Sequence, residues 1–261
     1  MHNFEFVKPS SIAEAVAALA NADAQPLSGG QTLLPTMKQR LAQPSVLVSL
    51  TGIPELQGVC VGDVGLHVGA ATPHAVVARE AAAHYPALAK LAGGIGDPAV
   101  RNRGTLGGSL ANNDPAACYP AAVLASGAQV VTNLRVIAAD DYFQGMFATA
   151  LAEGEIITEV RCPIPQRAAY VKFDQPASRF SLTAVFVAKF ADGVRVAVTG
   201  ASNGGVFRWT AAEAALSAAF TPEAIAGLTV AADDMISDLH GTAAYRANLV
   251  KVLTGRAVAA A

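Results

Sequence analysis

The stretch from Gly93 to Pro120 constrains this chain most. It runs Gly-Gly-Ile-Gly-Asp-Pro-Ala-Val-Arg-Asn-Arg-Gly-Thr-Leu-Gly-Gly-Ser-Leu-Ala-Asn-Asn-Asp-Pro-Ala-Ala-Cys-Tyr-Pro. So many Gly, Asn, Asp and Pro residues argue against a regular helix or a central strand. The stretch nevertheless sits mid-chain between apolar segments, where core is expected. A long polar loop inside a compact domain is usually functional or disordered, and its small and apolar residues speak against disorder. The reading is a loop wrapped around a phosphorylated ligand.

The flanking chain supplies a scaffold for such a loop. With 261 residues, 52% of them hydrophobic and 15% charged, it can build one large domain or two ordinary ones. Phe4–Val7 reads as a short strand. Ser11 and Glu14 form a capping box ahead of a helix with Ile12, Ala15, Val16 and Leu19 on one face. Val46–Leu50 reads as a buried strand, giving an α/β opening. Leu66–Ala70 follows as a strand, with Thr72 as N-cap and Pro73 as the first residue of the next helix. Ala87–Leu91 is a short helix. Ala128–Thr132 and Leu134–Ile137 pair around Asn133, and Glu155–Arg161 is a further strand. Cys162-Pro163-Ile164-Pro165 stops that strand and marks a domain boundary. Beyond it, strands at Ala168–Phe173 and Ser181–Phe190 lead through an Asp192-Gly193 hairpin into Val194–Thr199, with helices at Thr210–Ala219 and Ala243–Val252. No repeat of about 20–50 residues is present.

Composition narrows the function. A net charge of −2 without a basic run argues against nucleic acid as a partner. No apolar run reaches the ~18–20 residues of a membrane span, and no secretory signal opens the chain, so a cytoplasmic protein is expected. Cys60, Cys118 and Cys162 are far apart and the five His show no ligand spacing, so no metal site of the chain's own is expected. His67, His74 and His84 read as surface or helix-end residues. Asp140-Asp141 and Asp233-Asp234 read as solvated turns, and no catalytic acid, base or nucleophile stands out.

Two Gly-Gly turns carry the chemistry: Ser28-Gly29-Gly30-Gln31-Thr32 and Thr105-Leu106-Gly107-Gly108-Ser109. Without Cβ atoms, successive backbone N–H groups converge on one anion. Brought together, the two turns would clamp a pyrophosphate from both sides. Neither is Gly-x-Gly-x-x-Gly or a Walker loop. A third pair, Asn203-Gly204-Gly205, reads as an ordinary turn. Lys38, Arg40, Arg101 and Arg103 either face solvent or face phosphate or an acidic partner. A site without acid, base or nucleophile fits an enzyme whose cofactor does the chemistry, such as a flavin.

Residues 27–44, from Leu27-Ser28-Gly29-Gly30-Gln31-Thr32 to Pro44, resemble the first flavin loop of the FAD-binding medium subunits of molybdenum hydroxylases, the carbon monoxide dehydrogenase and xanthine dehydrogenase type. Residues 95–116 resemble their second loop. Tyr170–Phe173, Pro176–Arg179 and Ser237–Arg246 resemble stretches of their C-terminal domain. The resemblance runs in order over essentially the whole chain. It implies an α+β protein with two parts. The first is a two-lobed FAD-binding domain of the vanillyl-alcohol-oxidase-like (PCMH) type over 1–165, with lobes of about 1–52 and 53–165. The second is a smaller C-terminal flavoprotein domain over 166–261.

By position, Leu27, Ser28, Gly29, Gly30, Gln31, Thr32, Leu33 and Leu34 would wrap FAD with Thr105, Leu106, Gly107, Gly108 and Ser109, mainly at its diphosphate and without a covalent link. Asn112, Asp114 and Cys118 lie in the same second-loop region. Ile95 matches a position near the flavin and Lys172 a lysine that approaches it. Cys118 stands where relatives commonly carry Asp, which puts that contact in doubt. The cysteine cluster of relatives with a 4Fe–4S insertion is missing. The resemblance further implies a 2Fe–2S small subunit and a molybdopterin large subunit as partners, in a dimer of heterotrimers, with electrons passing from the 2Fe–2S clusters through FAD to an external acceptor. A stand-alone FAD-dependent oxidoreductase of the same superfamily is the alternative, and a scaffold that has lost flavin is a third.

Overall fold

The computed structural model describes residues 1–21 and 23–261. Its first layer is a three-stranded parallel sheet of β1 (Glu5–Val7), β2 (Ala24–Leu27) and β3 (Val46–Ser49), in the order β1-β3-β2. Helix α1 (Ile12–Leu19) crosses between β1 and β2 and buries Ala15 and Leu19. Ser11 caps it by accepting from Glu14 N, as expected. The return arm of the box is displaced by one residue: the Glu14 carboxylate accepts from Ser10 N at 2.8 Å and from the Ser10 hydroxyl at 3.0 Å. Helix α2 (Leu33–Lys38) follows the first Gly-Gly turn.

The second sheet is antiparallel, with β4 (Val59–Val61), β5 (Leu66–Gly69), β6 (Gln129–Thr132), β7 (Val136–Ala138) and a strand from much later in the chain. A small hairpin, β8 (Phe143–Gly145) with β9 (Ala148–Thr149), precedes that strand, β10 (Ile157–Cys162). β10 inserts between β5 and β6, so Val68, Val130 and Val160 share one fully buried face. The strand starts at Ile157 rather than Glu155, because the backbone before it is engaged elsewhere: Glu155 N closes a turn onto Ala152 O and Ile156 N donates to the Asn133 side chain. Helices α3 (His74–Glu80), α4 (Pro86–Gly93), α5 (Pro98–Arg101), α6 (Leu106–Asn112) and α7 (Tyr119–Ala125) lie between β5 and β6 in sequence, with a short α8 (Ala139–Tyr142) after β7. Thr72 does not cap α3. Its hydroxyl donates to Gly58 O and accepts from Gly58 N, and Pro73 takes the cap position.

The third sheet is the antiparallel meander β11 (Arg167–Asp174), β12 (Ser181–Lys189), β13 (Val194–Ser202) and β14 (Gly205–Arg208). Asp192-Gly193 turns β12 into β13, and Asn203-Gly204 turns β13 into β14. β12 is buried on both faces, which explains its unbroken apolar run. Ala184, Phe186 and Ala188 join the core around α4 and α7, whereas Val185 and Val187 pack towards α9 (Thr210–Ala218) and α10 (Ala243–Ala260). The last helix runs eight residues beyond its expected end at Val252. Asp140, expected in a solvated turn, is an ion-pair hub instead. It accepts from Arg195 and Arg208, both on the third sheet, and these partners hold its carboxyl below the usual range against the cost of burial.

Candidate functional site

The loop between α4 and α7 is not structureless. Asp97 accepts from Val100 N at 2.9 Å and Pro98 occupies the first helical position, so α5 starts where the chemistry of Asp-Pro favours a start. Thr105 caps α6 by accepting from Gly108 N at 3.2 Å, and Asn113 ends it in the left-handed region at φ 42°. The second Gly-Gly pair is therefore the first turn of a helix and not a loop turn. Gly107 is required by packing: a Cβ there would stand 2.6 Å from the Ala70 Cβ and 2.8 Å from Ala70 O.

The segment 104–107 is stitched onto the end of β5 and the start of α3. Gly107 N donates to Ala70 O at 2.8 Å and His74 N donates to Gly104 O at 2.9 Å. The first Gly-Gly turn then lies directly on this segment. A Cβ on Gly29 would fall 2.2 Å from Arg103 O and 2.6 Å from the Gly104 Cα, so only glycine permits the approach. Ser28 and Thr105 join hydroxyls across the seam at 2.8 Å. The two motifs, 77 residues apart at this contact, form one structure.

Around the seam opens a cavity of about 640 Å³, within the usual range for small-molecule sites. Residues 27–33 line it, as do Ile95, Thr105, Gly107, Gly108, Ser109, Asn112, Asp114 and Cys118. Three expected residues stand elsewhere. Leu34 lines a smaller adjoining cavity of about 290 Å³ behind the first turn. Leu106 is fully buried in the core. Lys172 braces the wall: its Nζ donates to Gly94 O at 2.7 Å and Arg179 O at 2.9 Å, and pairs with Asp174 at 2.8 Å. It thereby ties the segment next to Ile95 to the β11–β12 hairpin, whose Ser178, Arg179 and Phe180 line the same cavity.

The cavity has a polar head and apolar flanks. At the head, the backbone N–H groups of Gly29, Gly30, Gln31 and Thr32 donate to no protein group among the described residues. Gly30 has φ +68°, which turns the chain into α2. Such a row of free donors at a helix start is suited to an anion. The flanks are Leu50, Leu56, Ala70, Ala71, Ile156 and Ile157. Of the nearby cations, Arg101 is committed to backbone, donating to Ile95 O at 3.0 Å and Gly96 O at 2.8 Å, while Arg103 lines the smaller cavity.

Two polar residues at the cavity escaped sequence reasoning. Glu155 accepts from Thr132 Oγ1 (2.6 Å), Ala152 N (2.8 Å) and the Arg135 guanidinium (3.0 and 3.1 Å). These donors, the Arg135 hydrogen bonds foremost, hold its carboxyl at about 2. His74 is 5% exposed, not a surface residue, and burial with the nearby Arg101 charge depresses its pKa to about 4. Neither has a local signature, because a Glu ahead of a strand and a His after Thr-Pro are common at ordinary surfaces.

A deep cavity between a parallel three-stranded sheet and a five-stranded antiparallel sheet, with donors for an anion at the seam, defines a PCMH-type flavoprotein fold of class α+β. The chain belongs to the family described as "FAD binding domain in molybdopterin dehydrogenase", whose profile matches residues 2–165. The nicotine 6-hydroxylase medium subunit of Paenarthrobacter nicotinovorans is 38% identical, over 97% of this chain and 95% of that one. The carbon monoxide dehydrogenase medium chain of Afipia carboxidovorans is 33% identical, over 98% and 96%. A solved structure of carbon monoxide dehydrogenase from Hydrogenophaga pseudoflava superposes with a TM-score of 0.89 at 36% identity, covering 100% of this chain and 97% of that one. These relatives are subunits of oxidoreductases. No helix among the described residues is long and apolar enough to cross a membrane.

Proposed function

We propose that this chain is the FAD-carrying electron-transfer subunit of a multi-subunit molybdenum hydroxylase of the dehydrogenase type. In this reading it works in the cytoplasm with a 2Fe–2S small subunit and a molybdopterin large subunit, in a dimer of heterotrimers. Residues 1–165 form the FAD-binding domain and 166–261 the C-terminal domain. The observation that carries the reading is the row of unpaired N–H groups at 29–32, held against Gly104 and Thr105 at the head of a cavity with apolar flanks. The residues fit the cofactor: donors for its diphosphate and apolar walls for its rings.

FAD supplies the capacity to take up electrons and hand them on. The chain's own work is to hold it. Residues 27–33 with Thr105, Gly107, Gly108 and Ser109 would cradle the diphosphate. Asn112 and Asp114 offer polar groups further along the same wall. Ile95 and Cys118 offer an apolar one, and Lys172 acts through the backbone of Gly94 and Arg179. No residue of the chain is assigned as acid, base or nucleophile, and in this reading the molybdopterin subunit chooses the substrate.

Purification of the tagged chain with whatever accompanies it tests this. Flavin absorption is expected, together with iron–sulfur and molybdenum partners, and with reduction of the flavin by substrate only when those partners are present. A folded chain that takes up no FAD overturns the reading. Substrate-driven reduction in the chain alone would point to a stand-alone oxidoreductase of the same superfamily.

A further inference from the structure

We propose that His74 is a further FAD ligand, donating a hydrogen bond from Nε2 to the diphosphate through the opening that Gly104 leaves in the cavity wall. The inference rests on the FAD reading above.

His74 is nineteen-twentieths buried, yet it lines the cavity beside Gly104. Its Nδ1 is sealed from solvent and has no hydrogen-bond partner, and no protein group among the described residues bonds Nε2. A buried polar group without a partner is uncommon and calls for a reason. A neutral imidazole carries one hydrogen. Placed on Nδ1, it would be a sealed N–H with no acceptor. Placed on Nε2, it leaves Nδ1 as an empty acceptor, which buried sites tolerate more often than an orphaned N–H. Charging both nitrogens is opposed by burial and by Arg101. The ring is therefore a single donor at Nε2 near neutral pH.

That donor stands at the seam. The backbone N of His74 is bonded to Gly104 O at 2.9 Å, and the ring is backed by Tyr119 with centroids 5.2 Å apart. The edge carrying Nε2 faces Gly104: a Cβ on residue 104 would stand 2.6 Å from Nε2 and 3.0 Å from Cδ2. Glycine at 104 thus does two things. It leaves the imidazole edge uncovered and spares the carbonyl of Val100, which a Cβ would approach to 3.2 Å, while Gly29 is the residue that lets the first turn rest on this segment. The free N–H groups of 29–32 belong to the turn that rests on this same segment. His74 adds a side-chain donor to a set that is otherwise backbone, and a negatively charged diphosphate oxygen is the acceptor such a set lacks.

The test uses the full chain with its co-purifying partners and FAD itself as probe. Dissociation constants are measured for wild type, His74→Leu, His74→Gln and Gly104→Ala, alongside the unfolding midpoint of each FAD-free protein. His74→Leu is expected to bind FAD about 10–100-fold more weakly, as for loss of a hydrogen bond to a charged group. His74→Gln, which keeps a donor, should recover most of the affinity. Gly104→Ala, which keeps the imidazole but sets a Cβ against Nε2 and pushes that edge away from the cavity, should weaken FAD by a similar factor. The FAD-free His74→Leu protein should unfold no earlier than wild type, because it loses no protein–protein hydrogen bond. Wild type that holds no FAD overturns the FAD reading and this inference with it. Wild type that holds FAD while His74→Leu holds it equally well overturns this inference alone. Equal weakening by Leu and Gln, with a lowered FAD-free midpoint, also overturns it, since that is the mark of packing. Should His74→Leu fail to fold, unchanged affinity in Gly104→Ala overturns the inference by itself.

Discussion

The hydroxyls of Ser28 and Thr105 meet at 2.8 Å. This bond closes the two glycine motifs into one binding head, and Thr105 Oγ1 is at the same time the cap acceptor for Gly108 N. Ser28→Ala removes one hydroxyl pair and should cost about 0.5–1.5 kcal/mol in urea unfolding. Thr105→Val removes the pair and the cap, and should cost about 1 kcal/mol more. The double variant should fall short of the sum, because the shared bond is counted once. FAD content should drop in both single variants.

The glycines at the seam have different tasks, and substitution separates them. Gly107→Ala forces a Cβ onto Ala70 in the core, so it should destabilise the fold by about 1–3 kcal/mol. Gly29→Ala meets the 103–104 backbone and should part the two loops with loss of FAD. Gly108 is exposed to the cavity, its nearest obstacle being the Thr105 hydroxyl at 2.9 Å. Gly108→Leu should therefore lower FAD content while thermal unfolding stays close to wild type.

Glu155 ties the cavity floor to Arg135 and Thr132. Its folded pKa, about 2, lies below the ordinary 4.5. The unfolded chain therefore binds the proton first, and the stability from this carboxylate, full above pH 4.5, is lost as pH falls towards 2. Glu155→Gln should cost on the order of 1–3 kcal/mol at neutral pH. It should also flatten the acid limb of a stability-versus-pH curve between 4.5 and 2.

His74 acts in a higher window. Its folded pKa of about 4 lies below the ordinary 6.5, so the unfolded state gains the proton first as pH falls. Stability is full above pH 6.5 and should decline by up to about 3 kcal/mol towards pH 4. Denaturant titrations of FAD-free protein across pH 7 to 4 should show this slope in wild type and lose it in His74→Leu.

Local chemistry made part of the site legible. Whereas α5 and α6 lie inside a stretch that reads as loop, Ser11 announces the start of α1 and Asp192-Gly193 the hairpin of the third sheet, because each depends on neighbours within a few residues. The two glycine motifs were visible as anion-binding candidates for the same reason. Their roles were not all visible: Gly107 answers to Ala70 and Gly29 to the backbone of Arg103, neither of which is near in sequence. Asp140 read as solvated because its partners, Arg195 and Arg208, lie more than fifty residues away.

The sequence by itself determined that this chain is an α+β protein with two glycine-rich anion loops and no evident catalytic acid or base, and its motifs pointed to the FAD-binding medium-subunit family. The glycine loops follow from turn and cap rules that act over one or two turns of chain, whereas the α+β class and the family were implied by the resemblance of longer motifs. Only the tertiary structure decided that β10 enters between β5 and β6 and that the Gly29 turn rests on Gly104. It alone decided that His74 and Glu155 are drawn into the wall. Strand insertion and loop contact are set by burial of surfaces far apart in sequence, and a side chain's solvation and pKa follow from what that burial leaves beside it.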